Sequence, residues 1–407
     1  MAKYILIGGG LAATKAAEQL RRLDAEASIT LVSDEPELPY DKPPLSKEYL
    51  QGEWDDTKIL LNPPEFYEEK QITVKLGNPA RSIDTPNKLV TLTDDETLEY
   101  DKLLLATGAR ARAIDLPGAD LDGVYYLRRR SDSAAIRDAA KAGAHAVLIG
   151  AGFIGMEVAA SLTQRGVHVT VLEAAPYIWS RFLDKDMAEY FQRRSQEKGV
   201  VLHAGVAPVR FTGEKHVTGV AIEGGVVIPA DFVCVGVGVE LNIDLATETG
   251  LLIDNGVVTN EYLETSAPDV YAAGDIVNYY DPIFEKRRRL EHWGHAEYTG
   301  LLAAQNMFGN RAPYDLLSYV WSDIFNLHIE FAGEEKEYDE TILRGDRDSD
   351  AFVLMYLKEH RLRAYLAVNT SPRNFLPMQR MIRQRTDLRD KKAQLADGSV
   401  EMRGLLG

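Results

Sequence analysis

One cysteine, Cys234, stands in 407 residues, so no intrachain disulfide can form and a relay through a cysteine pair is excluded. That scarcity fits a reducing cytoplasm, the compartment expected for this chain. No run of 18 or more apolar residues occurs, which leaves no candidate for a membrane-spanning helix. Nor is a cleavable signal peptide expected, because a fold-forming strand begins at Lys3. Positive charge is in deficit, with 46 Lys and Arg against 62 Asp and Glu, and a net charge of −16 argues against general nucleic-acid binding. The 8 histidines are scattered without ligand spacing, and with one cysteine no metal site or iron–sulfur cluster is expected. Apolar residues are not scarce: at 45% they can fill the cores of two or three domains.

The chain opens with KYILIGGGLAATKAAEQL, and nearly the same phrase returns from Ala146 as AVLIGAGFIGMEVAASL. Tyr4–Ile7 reads as a buried parallel strand. Gly8, Gly10 and Ala13 form G-x-G-x-x-A, and Ala13, Ala16, Ala17 and Leu20 recur at helical spacing. Glycines let the backbone turn tightly and approach a pyrophosphate, whose charge a helix N-terminus stabilises. A second strand, 29–32, leads to Asp34, where an acid for a ribose hydroxyl is expected. In the second copy Gly150, Gly152 and Gly155 follow the strand 147–149, and the strand 169–172 ends at Glu173. The likeness continues downstream. DKLLLATG at 101–108 and DFVCVGVG at 231–238 share an Asp, an apolar strand and glycines at equal spacing, each after an expected hairpin, around Thr93–Thr97 and Gly224–Gly225. A third such strand, DVYAAGD at 269–275, is expected to return the chain to the first unit, so that the second cradle is an insertion.

With ATGAR at 106–110 and AAGD at 272–275, this arrangement resembles the two-dinucleotide flavoproteins related to glutathione reductase, over about the first 310 residues. The resemblance implies FAD in the first cradle and NAD(P)H in the second. The fold expected is α/β: two Rossmann-like dinucleotide-binding domains, the second inserted in the first, plus a C-terminal α+β domain. The FAD domain is placed at 1–111 and 239–313, the NAD(H) domain at 112–238 and the C-terminal domain at 314–407. Alternating residues at 340–344 and 351–357 read as an antiparallel sheet, with a late helix near 374–386.

Thiol-dependent relatives carry reactive cysteine near the end of the second strand, where this chain has LPYDKPPLSK, 38–47. Cys234 reads as a small core residue inside a strand. The LPYDKPPLSK segment resembles that of the oxygenase-coupled ferredoxin reductases. In that group it runs along the flavin, and its last lysine pairs with a glutamate on the second glycine-motif helix, here Lys47 and Glu157. The resemblance further implies that Lys42, Pro43, Ala80, Ala106, Thr107, Gly108, Arg110, Arg128, Gly274, Asp275, Trp293 and Trp321 bind the flavin cofactor. Lys42 replaces the group's usual arginine and loses the planar fork that grips paired oxygens. Ile324 and Leu241 also depart, from a glutamine after WSD and from a common proline.

Glu173 followed by Ala174 and Ala175 favours NADH, because a carboxylate accepts from both ribose hydroxyls and repels a 2′-phosphate. The expected activity is NADH-dependent reduction, through FAD, of a small iron–sulfur ferredoxin, or of a rubredoxin, serving an oxygenase, in a monomer or homodimer. An NADH oxidase or quinone reductase, and an NADH-responsive scaffold like apoptosis-inducing factor, are the rival readings. The run Lys286–Arg289 is the expected docking patch for an acidic ferredoxin.

Overall fold

The computed structural model of the chain describes residues 1–180, 182–334 and 336–406. In chain order the elements are β1 (Lys3–Ile7), α1 (Leu11–Leu23), β2 (Ser28–Val32), β3 (Ile72–Lys75) and β4 (Lys102–Leu105). There follow β5 (Val124–Tyr126), β6 (His145–Ile149), α2 (Phe153–Gln164), β7 (His168–Glu173), α3 (Lys185–Glu197), β8 (Val201–Ala204) and β9 (Phe232–Val235). The chain continues through β10 (Val270–Ala272), α4 (Trp293–Phe308), β11 (Tyr319–Ile324), β12 (Leu327–Gly333), β13 (Glu340–Asp346), β14 (Ala351–Lys358), β15 (Arg361–Val368) and α5 (Pro372–Gln384). Contacts gather these into two compact units. One comprises Met1–Asp41, Asp56–Arg110 and Glu240–Val320, the other Lys42–Asp55, Ala111–Val239 and Trp321–Gly407.

The first unit is built on a parallel sheet in the order β10-β4-β1-β2-β3. Its inner strands are apolar on both faces, and α1, α4 and the buried Val90 and Leu92 of the strand at 89–92 join them in one core. Small residues on α1 let α4 approach closely: a side chain on Gly300 would set its Cβ 2.2 Å from Ala12 O. The second unit holds a parallel sheet ordered β8-β7-β6-β9-β5. All five of its strands fall in the sequence between β4 and β10, which pair within the first sheet. The second nucleotide fold is therefore inserted in the first, as expected from the third Asp-led strand, DVYAAGD at 269–275. A third sheet, β11-β12-β15-β14-β13, is antiparallel at its β12–β15, β15–β14 and β14–β13 pairings. Helix α5 packs on it through Phe375, Met378, Met381 and Ile382. It starts at Pro372, earlier than its apolar periodicity suggests, because Ser371 Oγ accepts the Arg373 N–H and caps it.

The two nucleotide folds match bond for bond. Gly8 N–H donates to Val32 O and Gly150 N–H to Leu172 O, each at 2.8 Å. Ala106 N–H donates to Ile7 O, and Gly236 N–H to Ile149 O, again at 2.8 Å. The aspartates that open the two matching phrases also act alike. Asp101 Oδ2 accepts Lys3 N–H and Asp231 Oδ2 accepts His145 N–H, both at 2.7 Å. Each copy also carries a three-stranded antiparallel flap, at 80–99 and at 208–229, where hairpins are expected from Thr93–Thr97 and Gly224–Gly225.

Candidate functional site

In the first unit the glycines of β1–α1 divide their work. Gly8 has φ +134°, and a Cβ there would lie 2.1 Å from Ala106 O, so only glycine fits between β1 and β4. Gly10, the N-cap of α1, has nothing within 4 Å of a Cβ position, no side-chain cap and no acid in the first turn behind it. A loop that is packed on one side and open at the helix N-terminus fits a pyrophosphate. Ala13 is fully buried in α1. At the far edge Gly274 has φ +76°, a Cβ there would lie 3.3 Å from Ala12 Cβ, and its N–H donates to Thr299 Oγ1 at 2.9 Å. This holds the Gly274–Ile276 turn, and with it Asp275, against the start of α1.

The remaining flavin candidates of this unit are held by bonds to distant parts of the chain. Asn78 N–H donates to Ser33 O (3.2 Å), which laces the segment leading to Ala80 to the end of β2. Thr107 is clamped by Asn242: Thr107 Oγ1 donates to Asn242 O (2.5 Å) and Asn242 Nδ2 donates to Thr107 O (2.9 Å). Asn242 N–H also donates to Gly108 O at 2.9 Å. Arg110 turns to Glu240 (3.3 Å) and Asp244 (3.2 Å). Trp293 Nε1 donates to Asp41 Oδ1 at 2.7 Å, which fixes the indole at the head of α4. Register places Ser33, one residue after Val32, level with Glu173 of the second copy, so Asp34 stands one residue further on and is exposed. Ser33 also keeps position 9 a glycine: a Cβ on Gly9 would sit 2.2 Å from Ser33 Oγ.

In the second unit the same division recurs. Gly150 has φ +98° and a Cβ there would meet Gly236 O at 2.4 Å, while a Cβ on Gly155 would meet Gly150 O at 2.2 Å. Gly152 faces open space at the uncapped N-terminus of α2, which likewise has no acid in its first turn. Glu173 ends β7 with its carboxylate accepting Ala151 N–H (2.7 Å) and Ala175 N–H (2.8 Å).

The segment 42–47 belongs to this unit. Pro43 starts a short 3-10 turn, Pro43–Ser46, whose backbone is held by Ser133 Oγ donating to Leu45 O and Ser161 Oγ donating to Ser46 O, both at 2.7 Å. Lys47 Nζ lies 3.3 Å from Glu157 Oε2 on α2, and both side chains are about nine-tenths buried (11% and 7% exposed). Lys42 Nζ reaches Arg128 O at 3.5 Å, and the Arg128 N–H donates to Asp132 Oδ2 at 2.9 Å. Trp321 lies on β11, half-buried. Sequence reasoning passed over Asn242 and Ser322, whose partners lie far away along the chain; only their place beside recognised motifs marks them.

Cys234 lies within β9, 7% exposed, and burial pushes its thiol up to about 12. That value keeps it in the protonated, poorly nucleophilic form. Among the described residues no cluster of three or more His, Cys, Asp or Glu could hold a metal ion, and no helix is long and apolar enough to cross a membrane. The Lys286–Arg289 run forms one arm of a hairpin with strand 277–281. Its arginines are engaged internally: Arg287 donates to Thr259 O (3.1 Å) and Asn278 O (2.9 Å), Arg288 pairs with buried Asp281 (3.1 Å), and Arg289 pairs with Glu291 (2.6 Å).

Two open nucleotide cradles, nested in one chain without a redox thiol, define a pyridine-nucleotide flavoprotein. The sequence profile of the pyridine nucleotide-disulphide oxidoreductase family matches residues 2–300, and a reductase C-terminal profile matches 319–406. The chain belongs to that family. It is 36% identical over 400 residues to rhodocoxin reductase of Rhodococcus erythropolis, covering 98% of this chain and 93% of the relative. It is 33% identical to a rubredoxin-NAD(+) reductase of Pseudomonas putida, covering 91% and 96%. The putidaredoxin reductase of a crystallised covalent reductase–putidaredoxin complex superposes with TM-score 0.95 at 31% identity, covering 100% of this chain and 98% of that one.

Proposed function

We propose that this chain is an NADH-dependent flavoprotein reductase that passes electrons through FAD to a small iron–sulfur ferredoxin, or to a rubredoxin, serving an oxygenase in the cytoplasm. The observation that carries the reading is the pair of open cradles at Gly10 and Gly152 beside a single, buried thiol. We assign the FAD pyrophosphate to Gly8, Gly10 and the head of α1, its ribityl chain to Asp275, and NADH to Gly150, Gly152 and Gly155 with Glu173 at the ribose. We assign 1–111 and 239–313 to FAD, 112–238 to NAD(H) and 314–407 to a C-terminal domain, with 42–55 grouped by its contacts in the second of the two compact units.

Bound FAD supplies the step no side chain can perform, accepting a hydride and releasing electrons singly. The chain's own residues bind and orient. The loops at Gly10 and Gly152 leave the two helix N-termini bare for phosphates, and Glu173 selects the ribose. The LPYDKPPLSK resemblance assigns Lys47 to the flavin ring, and Glu157 holds its ammonium in place. Breaking a buried pair by removing one partner costs about 3–5 kcal/mol. Removal of either charge should therefore slow flavin reduction, with the double change costing less than the sum. Additive losses would show that the two groups act independently.

A further inference from the structure

We propose that Ser322, on β11 of the C-terminal sheet, is a positioning residue that fixes the Glu157 carboxylate and, through it, the Lys47 ammonium. The inference rests on the reading of the chain as a flavoprotein and adds a third segment to the Lys47–Glu157 pair. Glu157 Oε2 receives Ser46 Oγ (2.5 Å) and Lys47 Nζ (3.3 Å), while Oε1 receives Ser322 Oγ at 2.7 Å. Ser322 is wholly buried and Glu157 is 5% exposed, so water cannot replace a lost donor without entering the packed site. Three segments separated by more than 100 residues each thus meet on one carboxylate: residues 46–47, helix α2 and strand β11.

The strand that presents Ser322 is itself fixed. Asp323 Oδ1 and His328 Nδ1 lie 2.6 Å apart across the β11–β12 turn, and Ile324 and Leu327 are buried on either side of it. On the other side of the carboxylate, Ser133 and Ser161 pin the backbone of 45–46. With Ser322 in place both Glu157 oxygens have donors and the carboxylate plane cannot turn. Without its hydroxyl, Oε1 keeps no side-chain donor among those above, and the plane can rotate about its last torsion. Lys47 would follow it, losing a fixed aim while the fold is kept. A serine that merely filled space would have no such effect at a distance.

The test compares Ser322→Ala with Ser322→Thr, which keeps the hydroxyl, in the FAD-loaded protein. Flavin content, the flavin midpoint potential across pH, and the rate of reduction by NADH are measured for each. Ser322→Ala should retain FAD, shift the potential, and slow reduction roughly tenfold, the effect of losing one hydrogen bond to a charged group. Ser322→Thr should restore both, and in a Glu157→Gln background Ser322→Ala should change little further. A Ser322→Ala protein that binds FAD with unchanged potential and rate, or one that loses as much in the Glu157→Gln background, would overturn the assignment alone. Wild-type protein unable to bind FAD would overturn the flavoprotein reading, and this assignment with it.

Discussion

The carboxylate of Glu173 accepts the backbone N–H of Ala151 at 2.7 Å, so the acid that ends β7 closes onto the glycine loop that follows β6. Its other oxygen faces Ala175 N–H at 2.8 Å. The group is thereby oriented before any nucleotide arrives, and no basic side chain stands at 174 or 175 to hold a 2′-phosphate. NADH should reduce the protein faster than NADPH. Glu173→Ala with Ala174→Arg should narrow or reverse that preference in stopped-flow measurements, and equal rates in the unaltered protein would refute the role.

The glycines should separate by function. Gly8→Ala and Gly155→Ala each force a Cβ to within about 2.2 Å of a carbonyl oxygen (2.1 Å and 2.2 Å), so both should lower the melting temperature sharply. Gly10 and Gly152 have negative φ and open space, and alanine there should leave stability nearly unchanged. Instead Gly10→Ala should weaken flavin retention and Gly152→Ala should raise KM for NADH. Melting curves beside flavin release and steady-state kinetics read the four variants; equal destabilisation by all four would contradict this division.

Acid should loosen the first unit through two histidines. Burial, then the neighbouring Arg288, holds His292 down to about 4; burial, then His292 and Arg288, holds His295 down to about 3. His295 Nδ1 meets Tyr314 Oη at 3.1 Å, and the ring packs against Tyr279 (5.1 Å) and Tyr314 (5.8 Å). Because the folded value is depressed, this contribution is complete above the ordinary histidine value of about 6.5 and is lost as pH falls toward the folded value. Melting temperature should drop as pH is lowered from about 6.5 to 4.5, and His295→Asn should flatten the slope. An unchanged slope would show that the acid lability arises elsewhere.

Docking charge should reside on α5 rather than on the Lys286–Arg289 run. Arg288 is tied to Asp281 and stacked on Phe284 at 4.8 Å, so Arg288→Glu should disturb folding. Between Thr370 and Thr386 the chain has four arginines and no acid, against a net charge of −16, and Arg373, Arg380 and Leu376 are exposed there. Charge reversal at Arg373 and Arg380 should slow association with an acidic ferredoxin and weaken its salt dependence, leaving flavin reduction by NADH unchanged. Stopped-flow at several ionic strengths decides; no change in association would exclude this face.

The duplicated fold was legible because its signals are local and repeated: a strand, two glycines and a small-residue helix, then an Asp-led strand at matching distance. Gly8 against Ala106 and Gly150 against Gly236 is that sequence repeat in three dimensions. Lys47 and Glu157 were legible through a shared motif. Ser322, Asn242 and the internal use of Arg287 and Arg288 were not, because each depends on a partner brought close only by the finished fold. Asp34, the acid counted from β2, stands one residue beyond Ser33, which register sets level with Glu173.

The central claim, electrons from NADH through FAD to a one-electron iron–sulfur carrier, is tested most directly by anaerobic double-mixing stopped-flow. NADH is mixed with the FAD-loaded protein until the flavin absorbance bleaches, and an oxidised two-iron ferredoxin is then added. The account predicts fast bleaching by NADH, followed by flavin recovery with reduction of two ferredoxins per flavin. Bleaching that ferredoxin leaves unreversed, but that oxygen or a quinone reverses rapidly, would contradict it.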